Sequence, residues 1–417
     1  MNQPHTVIIG AGPSGTVAAA LLTQKRHRVT VLEQQHFPRF VIGESLLPHC
    51  MEILDEADML TAVMAQSGFQ YKNGAAFTWG ECYTHFEFTD KFTHGPGTTF
   101  QVQRVVFDQL LVNEAQKQGI EIRFGHKVNS WQETDDGVVL GIDSEKESYT
   151  LGADFVLDAS GYGRVLPRLL NLECPSELPP RQAVFTHIDD HIVGNGFDRN
   201  KILISTHPQH RDVWFWLIPF SNGQSSIGVV GSNSRLGTVK AGEEAEFLQK
   251  WVNDIPMLRR ILVNAVWDNG IPYRQLQNYS ANVSALFGKR FALLGNAAEF
   301  LDPVFSSGVT IALHSAKLAA DTLHRQYSGE TVDWAHDFAQ KLMVGVNAFR
   351  TYVNGWYNGT FQDVIYAPEE KVNPEIRRMI SAILAGYAWD ENNPYVTKSD
   401  RRLAVLAEIC GQVKPVE

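Results

Sequence analysis

Cysteine is scarce in this chain, with four residues in 417, Cys50, Cys82, Cys174 and Cys410. They lie far apart and form no C-x-x-C, which argues against a thiolate zinc site or a dithiol redox pair. Basic runs are also lacking. Thirty-six Lys and Arg against 46 Asp and Glu give a net charge of -10, so neither nucleic acid nor an anionic membrane surface is an expected partner. No apolar run reaches the roughly 20 residues that span a bilayer. The N-terminus leads directly into a strand pattern without a signal-peptide profile, and a cytoplasmic location is expected. Among the 14 histidines, the closest spacings are His187 with His191 and His207 with His210. Neither pair has a third ligand in register, so no metal site is expected. Repeats, linkers and low-complexity segments are absent. What remains is 44% hydrophobic and 20% charged, the composition of a globular protein with two or three structural units.

The chain is organised around residues 7–33. A β-branched run, Val7-Ile8-Ile9, enters the turn Gly10-Ala11-Gly12-Pro13-Ser14-Gly15, a G-x-G-x-x-G. A run of small and apolar residues follows, Val17 to Leu22, and a second strand, Val29 to Leu32, ends in Glu33. This is a βαβ dinucleotide unit. Gly10 permits the tight turn, Gly12 lets backbone approach a pyrophosphate, and Gly15 lets helix pack on strand. The helix N-terminus, opening at Ser14, offers unpaired N–H groups to phosphate. Glu33 is placed to accept from a ribose. The motif by itself does not choose between FAD and NAD.

Downstream, Arg39 and Ser45 fall in a turn-rich stretch near this phosphate site. Arg39 is placed to neutralise a pyrophosphate. Ser45 is either a ligand contact or the N-cap of a helix expected over 51–64. Asn73-Gly74 reads as a turn before a strand over 75–79, and Lys72, read from its neighbours alone, is an exposed turn lysine. Arg104 opens a helix running to about Lys117, and either reaches a cofactor or pairs with Asp108 one turn on. A strand over 155–157 delivers Asp158 and Gly161 to a sheet edge of the kind where α/β proteins bind ligands. From about Arg181 strands recur closely, which predicts a mostly antiparallel sheet. Inside it Trp214 and Trp216 share a face, as packed core or as a wall of a pocket. A strand near 290–294 returns to the first sheet, and a helix starts near Gly308. Its N-terminal amides, at Ser307 and Gly308 with Ser306 as N-cap, form an anion site.

The expected fold is therefore α/β: a Rossmann-like FAD-binding domain over 1–180, with a sheet excursion near 69–102. An inserted antiparallel-sheet substrate domain follows over 181–275. The chain returns to the first domain over 276–328 and ends in a helical region over 329–417.

Together, Gly10-x-Gly12-x-x-Gly15, Asp158-x-x-Gly161 and the segment from Gly295-Asn296 to Asp302-Pro303 resemble flavoprotein monooxygenases of the p-hydroxybenzoate hydroxylase fold. That family usually has Asp where this chain has Asn296. Within it the chain resembles the flavin-dependent halogenases. Trp214-x-Trp216-x-Ile218-Pro219 matches their W-x-W-x-I-P motif, and Phe300-x-x-Pro303-x-x-Ser306-x-Gly308 matches a second motif. The resemblance implies FAD as cofactor, used as FADH2 from a separate flavin reductase, held by Gly10, Gly12, Ser14, Gly15, Glu33, Arg39, Ser45, Arg104, Asp158, Gly161, Asn296, Asp302 and Pro303. It implies a halide ion, chloride or bromide, at Ser306, Ser307 and Gly308. A flavin C4a-hydroperoxide would oxidise it to hypohalous acid, which passes to Lys72 as the catalytic residue. Trp214, Trp216, Ile218, Pro219 and Phe305 would form the pocket wall. Phe305 stands where tryptophan halogenases carry Glu, which implies a phenol or pyrrole substrate, free or tethered to a carrier protein. The competing readings are an aromatic hydroxylase or a flavin-dependent reductase of the same fold, and a non-catalytic flavin-binding protein.

Overall fold

Alternating apolar residues build the first sheet in a computed structural model of the chain, which describes residues 3–194 and 196–413. His5–Ile9 lies between Arg28–Glu33 and Phe155–Asp158. Glu121–Phe124 and Phe291–Leu293 extend the sheet on either side, all in parallel, and Phe287–Gly288 adds an antiparallel edge. Both faces of the central strand are covered, as parallel sheets require. Ile8 and Val31 meet the Pro13–Gln24 helix, whose small residues allow close approach to helix Ser307–Tyr327. Val7, Ile9 and Leu32 meet a three-stranded antiparallel sheet through Val128, Val138 and Leu140.

A second sheet of seven strands runs in the order Arg274–Gln277, Arg181–Asp189, Gln224–Ser232, Trp214–Pro219, Lys201–Thr206, Gly74–Trp79, Cys82–Glu87. All its pairings are antiparallel except one. Gly74–Trp79 lies parallel to Lys201–Thr206, in register from Gly74 opposite Lys201 to Trp79 opposite Thr206. The period of two divides its side chains. Val184, Phe215, Leu217 and Val229 face the helices Glu244–Asn253 and Pro256–Ile261. Phe185, Trp214 and Trp216 face the main core.

Three local expectations change. The helix expected over 51–64 is two helices, His49–Glu56 and Leu60–Met64, separated where Asp58 has φ 56°. Ser45 caps neither, because the first begins after Pro48. Lys72 does not sit in an exposed turn. It ends strand Gln70–Lys72, which pairs with Thr99–Gln101 in a separate two-stranded sheet, and it is fully buried. The C-terminal part folds as helices, including Lys341–Asn358 and Thr360–Ile365. Among the described residues no helix is long and apolar enough to cross a membrane, and no three His, Cys, Asp or Glu are grouped to hold a metal ion.

Candidate functional site

The carboxyl ends of the first sheet open into a cavity of about 1160 Å³, larger than the roughly 300–1,000 Å³ of most small-molecule sites. Gly10, Gly12 and Ser14 line it at the N-terminus of the first helix, where no acidic residue occupies the first turn. A Cβ added at Gly12 would meet only Arg39 Nη2, at 3.6 Å, so backbone and guanidinium bound an open space. Gly15 is outside the cavity. A Cβ there would lie 1.9 Å from the Gly10 carbonyl oxygen, so this glycine serves packing.

Glu33 lines the cavity and accepts from the amides of Ala11 and Gln35, each at 2.9 Å. Its oxygens keep lone pairs for further donors. Arg39 sits 3.8 Å from Glu33 and 3.5 Å from Asp108. Arg104 also lines the cavity and makes the expected pair with Asp108 one turn on, at 2.7 Å. Gly161, Asn296 and Pro303 complete this part of the wall. A glycine-lined helix terminus, an acid with spare acceptor capacity and two arginines fit an adenine dinucleotide carrying a pyrophosphate.

Two acids expected in this wall lie behind it. Asp158 is fully buried and accepts from the amides of Ser160 at 2.9 Å and Leu166 at 2.7 Å, so it braces the turn. Asp302 turns inward and accepts from Tyr357 Oη at 2.9 Å and Tyr279 Oη at 3.2 Å. Burial pushes both carboxyls above the usual range, against the hydrogen bonds they accept.

The opposite wall is the second sheet. Trp214, Trp216 and Ile218 line it at alternate positions, with the indole centroids 5.9 Å apart. Pro219 does not, because the strand's alternation puts it on the other face with Leu217. Gly228, opposite Trp216, makes room for the ring: a Cβ there would fall 2.4 Å from the indole and 2.8 Å from Phe185 Cβ. Gly228→Ala is therefore expected to cost about 1–3 kcal/mol and to displace Trp216. Denaturant midpoint and near-ultraviolet circular dichroism would check it, and an unchanged aromatic spectrum would contradict it.

At the start of helix Ser307–Tyr327, Ser306 and Gly308 line the cavity, whereas the Ser307 side chain is buried away from it. Ser306 has φ 57° and makes no side-chain cap, so its expected N-cap role is positional only. The first amides of the helix have no intrahelical acceptor. Phe305 does not form the wall. It packs edge-on against Trp356 and Phe361, at centroid distances of 5.8 and 5.4 Å, because the C-terminal helices fill that side.

Lys72 is one layer behind the cavity. Its Nζ donates to Ser45 Oγ and to the Leu46 carbonyl, both at 2.7 Å, and Ser45 itself lines the cavity. The Phe88 ring lies 5.4 Å away. Among the described residues no carboxylate reaches ion-pair distance of this amine. Burial pushes Lys72 down to about 7, with the nearby Cys50 thiol opposing. An unfolded lysine titrates near 10.4, so between about pH 7 and 10 the unfolded chain binds more protons and stability rises with pH. Relative to Lys72→Met, the wild type should gain up to about 1.4 kcal/mol per pH unit across that window in urea titrations. A flat difference would mean that the amine is not desolvated.

Sequence reasoning missed Tyr279 and Tyr357, which reach Asp302, and Glu44, whose carboxylate lies 2.7 Å from His187 Nε2 with both side chains buried. Only Glu44 had a signal, its place beside Ser45.

The FAD binding domain family model matches residues 4–342. A tryptophan 2-halogenase of Chondromyces crocatus is 30% identical over 82% of this chain and 66% of its own, so the chain spans just under two thirds of that relative. A 1H-pyrrole-2-carbonyl-[peptidyl-carrier protein] chlorinase of Pseudomonas fluorescens is 27% identical over 84% and 81%. The flavin-dependent halogenase gsfI of Penicillium aethiopicum is 30% identical over 84% and 70%. Among solved structures, a flavoprotein/dehydrogenase of Cytophaga hutchinsonii superposes with a TM-score of 0.91 at 39% identity, over 98% of this chain and 99% of that one. The glycine cradle, the paired tryptophans and the buried lysine thus sit in a chain that belongs to the FAD binding domain family and, within it, to the flavin-dependent halogenases.

Proposed function

We propose that this protein halogenates an electron-rich aromatic, a phenol or pyrrole, with chloride or bromide, using reduced FAD from a separate flavin reductase. The observation that carries the reading is Lys72. It is a fully buried amine without a carboxylate partner among the described residues, held by Ser45 at the edge of the cavity and lowered to about 7. Bound reduced FAD supplies the activation of dioxygen that halide oxidation needs. The chain's own groups do the rest. The amides of Ser307 and Gly308 hold the halide without a competing acid in the first helical turn. Trp214 and Trp216 keep the aromatic substrate off the cofactor side. Ser45 leads from the cavity to Lys72 Nζ, which is available as a neutral amine near pH 7 to hold oxidised halogen for transfer to the ring.

Phe305 stands where tryptophan halogenases carry Glu, and that departure supports a phenol or pyrrole over free tryptophan although the ring packs outside the cavity, on Trp356 and Phe361. The pyrrole-acting relative supports a substrate that arrives on a carrier protein. A dehydrogenase reading, which the name of the Cytophaga relative suggests, leaves the buried amine without a role.

Mass spectrometry tests the reading. Purified protein would receive FAD, a flavin reductase, NADH, oxygen and chloride or bromide, with phenols, pyrroles and indoles both free and carrier-bound. A halogen isotope pattern on a phenol or pyrrole is expected. Product from tryptophan alone would overturn the substrate class. A gain of one oxygen, indifferent to halide, would replace halogenation by hydroxylation.

A further inference from the structure

Helix Lys341–Asn358 extends beyond the region matched by the family model, which ends at residue 342. It nevertheless reaches the tryptophan wall through one side chain. Trp214 Nε1–H donates to Tyr357 Oη at 2.8 Å, and Tyr357 Oη donates its own hydrogen to Asp302 Oδ2 at 2.9 Å. Tyr279 Oη donates to the same oxygen at 3.2 Å, and the Val304 amide donates to Oδ1 at 3.1 Å. Arg181 lies over the Tyr357 ring, 3.2 Å from its centroid. Each phenol has one hydrogen to give and an ionised Asp302 only accepts, so the chain of bonds then has a single direction. Trp214 is 1% exposed and Asp302 2%, so protein shields both ends of the chain, while Tyr357 between them is half-buried.

We propose that Tyr357 is a positioning residue for the tryptophan wall: its hydroxyl pins the Trp214 indole to Asp302 and so ties the wall to the 302–308 turn. The inference rests on the halogenase reading for its consequence and on geometry alone for the bond. The turn carries the amides assigned to halide, and Trp214 faces the cavity they open into. With the hydroxyl removed, the indole N–H is left unpaired in a buried site, and the ring gains rotamers that satisfy it elsewhere. Oxidised halogen would then leave the cavity for solvent before it reaches the substrate.

Tyr357→Phe is the test, since it keeps the ring on Arg181 and deletes one oxygen. Halogenated product per oxygen consumed is expected to fall about fivefold, the factor that corresponds to one lost buried hydrogen bond. Halogenation of monochlorodimedone added to bulk solvent should rise, while FAD affinity is retained. Trp214→Phe removes the other end of the bond and should give a similar loss, and the double variant should lose no more than either single change. Additive losses, or an unchanged product-to-oxygen ratio in Tyr357→Phe, would overturn the proposal. So would a fall in FAD affinity that accounts for the whole effect. Ultraviolet resonance Raman of the indole N–H separates the two levels of the argument. If the wild type halogenates nothing, the halogenase reading fails. A Raman shift in Tyr357→Phe that is absent in the Trp214→Phe background still establishes the clamp, and no shift removes it.

Discussion

Lys72→Ala is expected to lower halogenated product by at least ~100-fold, the scale at which a positioned proton-transfer or nucleophilic group acts. The side chain is fully buried, and its two hydrogen bonds, to Ser45 Oγ and the Leu46 carbonyl, aim Nζ at the cavity edge. Neither of its hydrogen-bond partners, a hydroxyl and a backbone carbonyl, replaces an amine. The pH dependence follows from the same burial. Product formation by the wild type should rise as pH approaches about 7 and the amine loses its proton, then level off. Lys72→Arg should not rescue activity, since a guanidinium stays charged across this range. Product rates and pH profiles of the three proteins, taken with reduced flavin in excess, decide the matter. A Lys72→Ala protein working within a few-fold of wild type would end the proposed role.

The second large effect is at the other end of the site. Gly15→Ala should abolish measurable FAD binding, or unfold the first domain. Its Cβ would lie 1.9 Å from the Gly10 carbonyl oxygen and 3.1 Å from the Gly10 carbonyl carbon. Those are backbone atoms, and Gly10 is already fixed by its φ of 99° and by the hydrogen bond its N–H donates to the Leu32 carbonyl at 2.7 Å. Overpacking of this kind typically costs about 1–3 kcal/mol and more when backbone must move. Gly12→Ala provides the contrast. Its Cβ would meet only the tip of Arg39, so the apoprotein should melt near the wild-type temperature while FAD titration shows lost affinity. Equal behaviour of the two variants would mean that the two glycines do not divide packing from cofactor approach.

The βαβ unit and the alternating strands were legible because their signals are local: a turn motif, a period of two, an acid at a strand end. The same period predicts that Trp214, Trp216 and Ile218 share a wall, and applied one residue further it excludes Pro219. The environment of Lys72 was not legible. Its neighbours Ser45, Leu46 and Phe88 are distant in sequence, and Asn73-Gly74 imitates a hairpin turn where the chain passes from one sheet to another. Asp158 and Asp302 stand at positions that read as ligand contacts, but their carboxylates are consumed by backbone amides and phenols that no motif announces. The resemblance places Phe305 in the wall, but the C-terminal helices that cover it carry no sequence signature of where they dock.

The parallel pairing of Gly74–Trp79 with Lys201–Thr206 joins segments 127 positions apart, from Gly74 to Lys201. Strands so distant meet late in folding, since a long loop must close before their contacts return anything. Residues 181–277 made alone would leave Lys201–Thr206 as a bare edge, open to pairing with other chains. Lys72 lies two residues before that junction, yet its own partners, Ser45, Leu46, Phe88 and Thr99, all precede the later strands. The shelter of the amine is therefore built within the first hundred residues, whereas the cavity beside it is walled only once the later strands have joined.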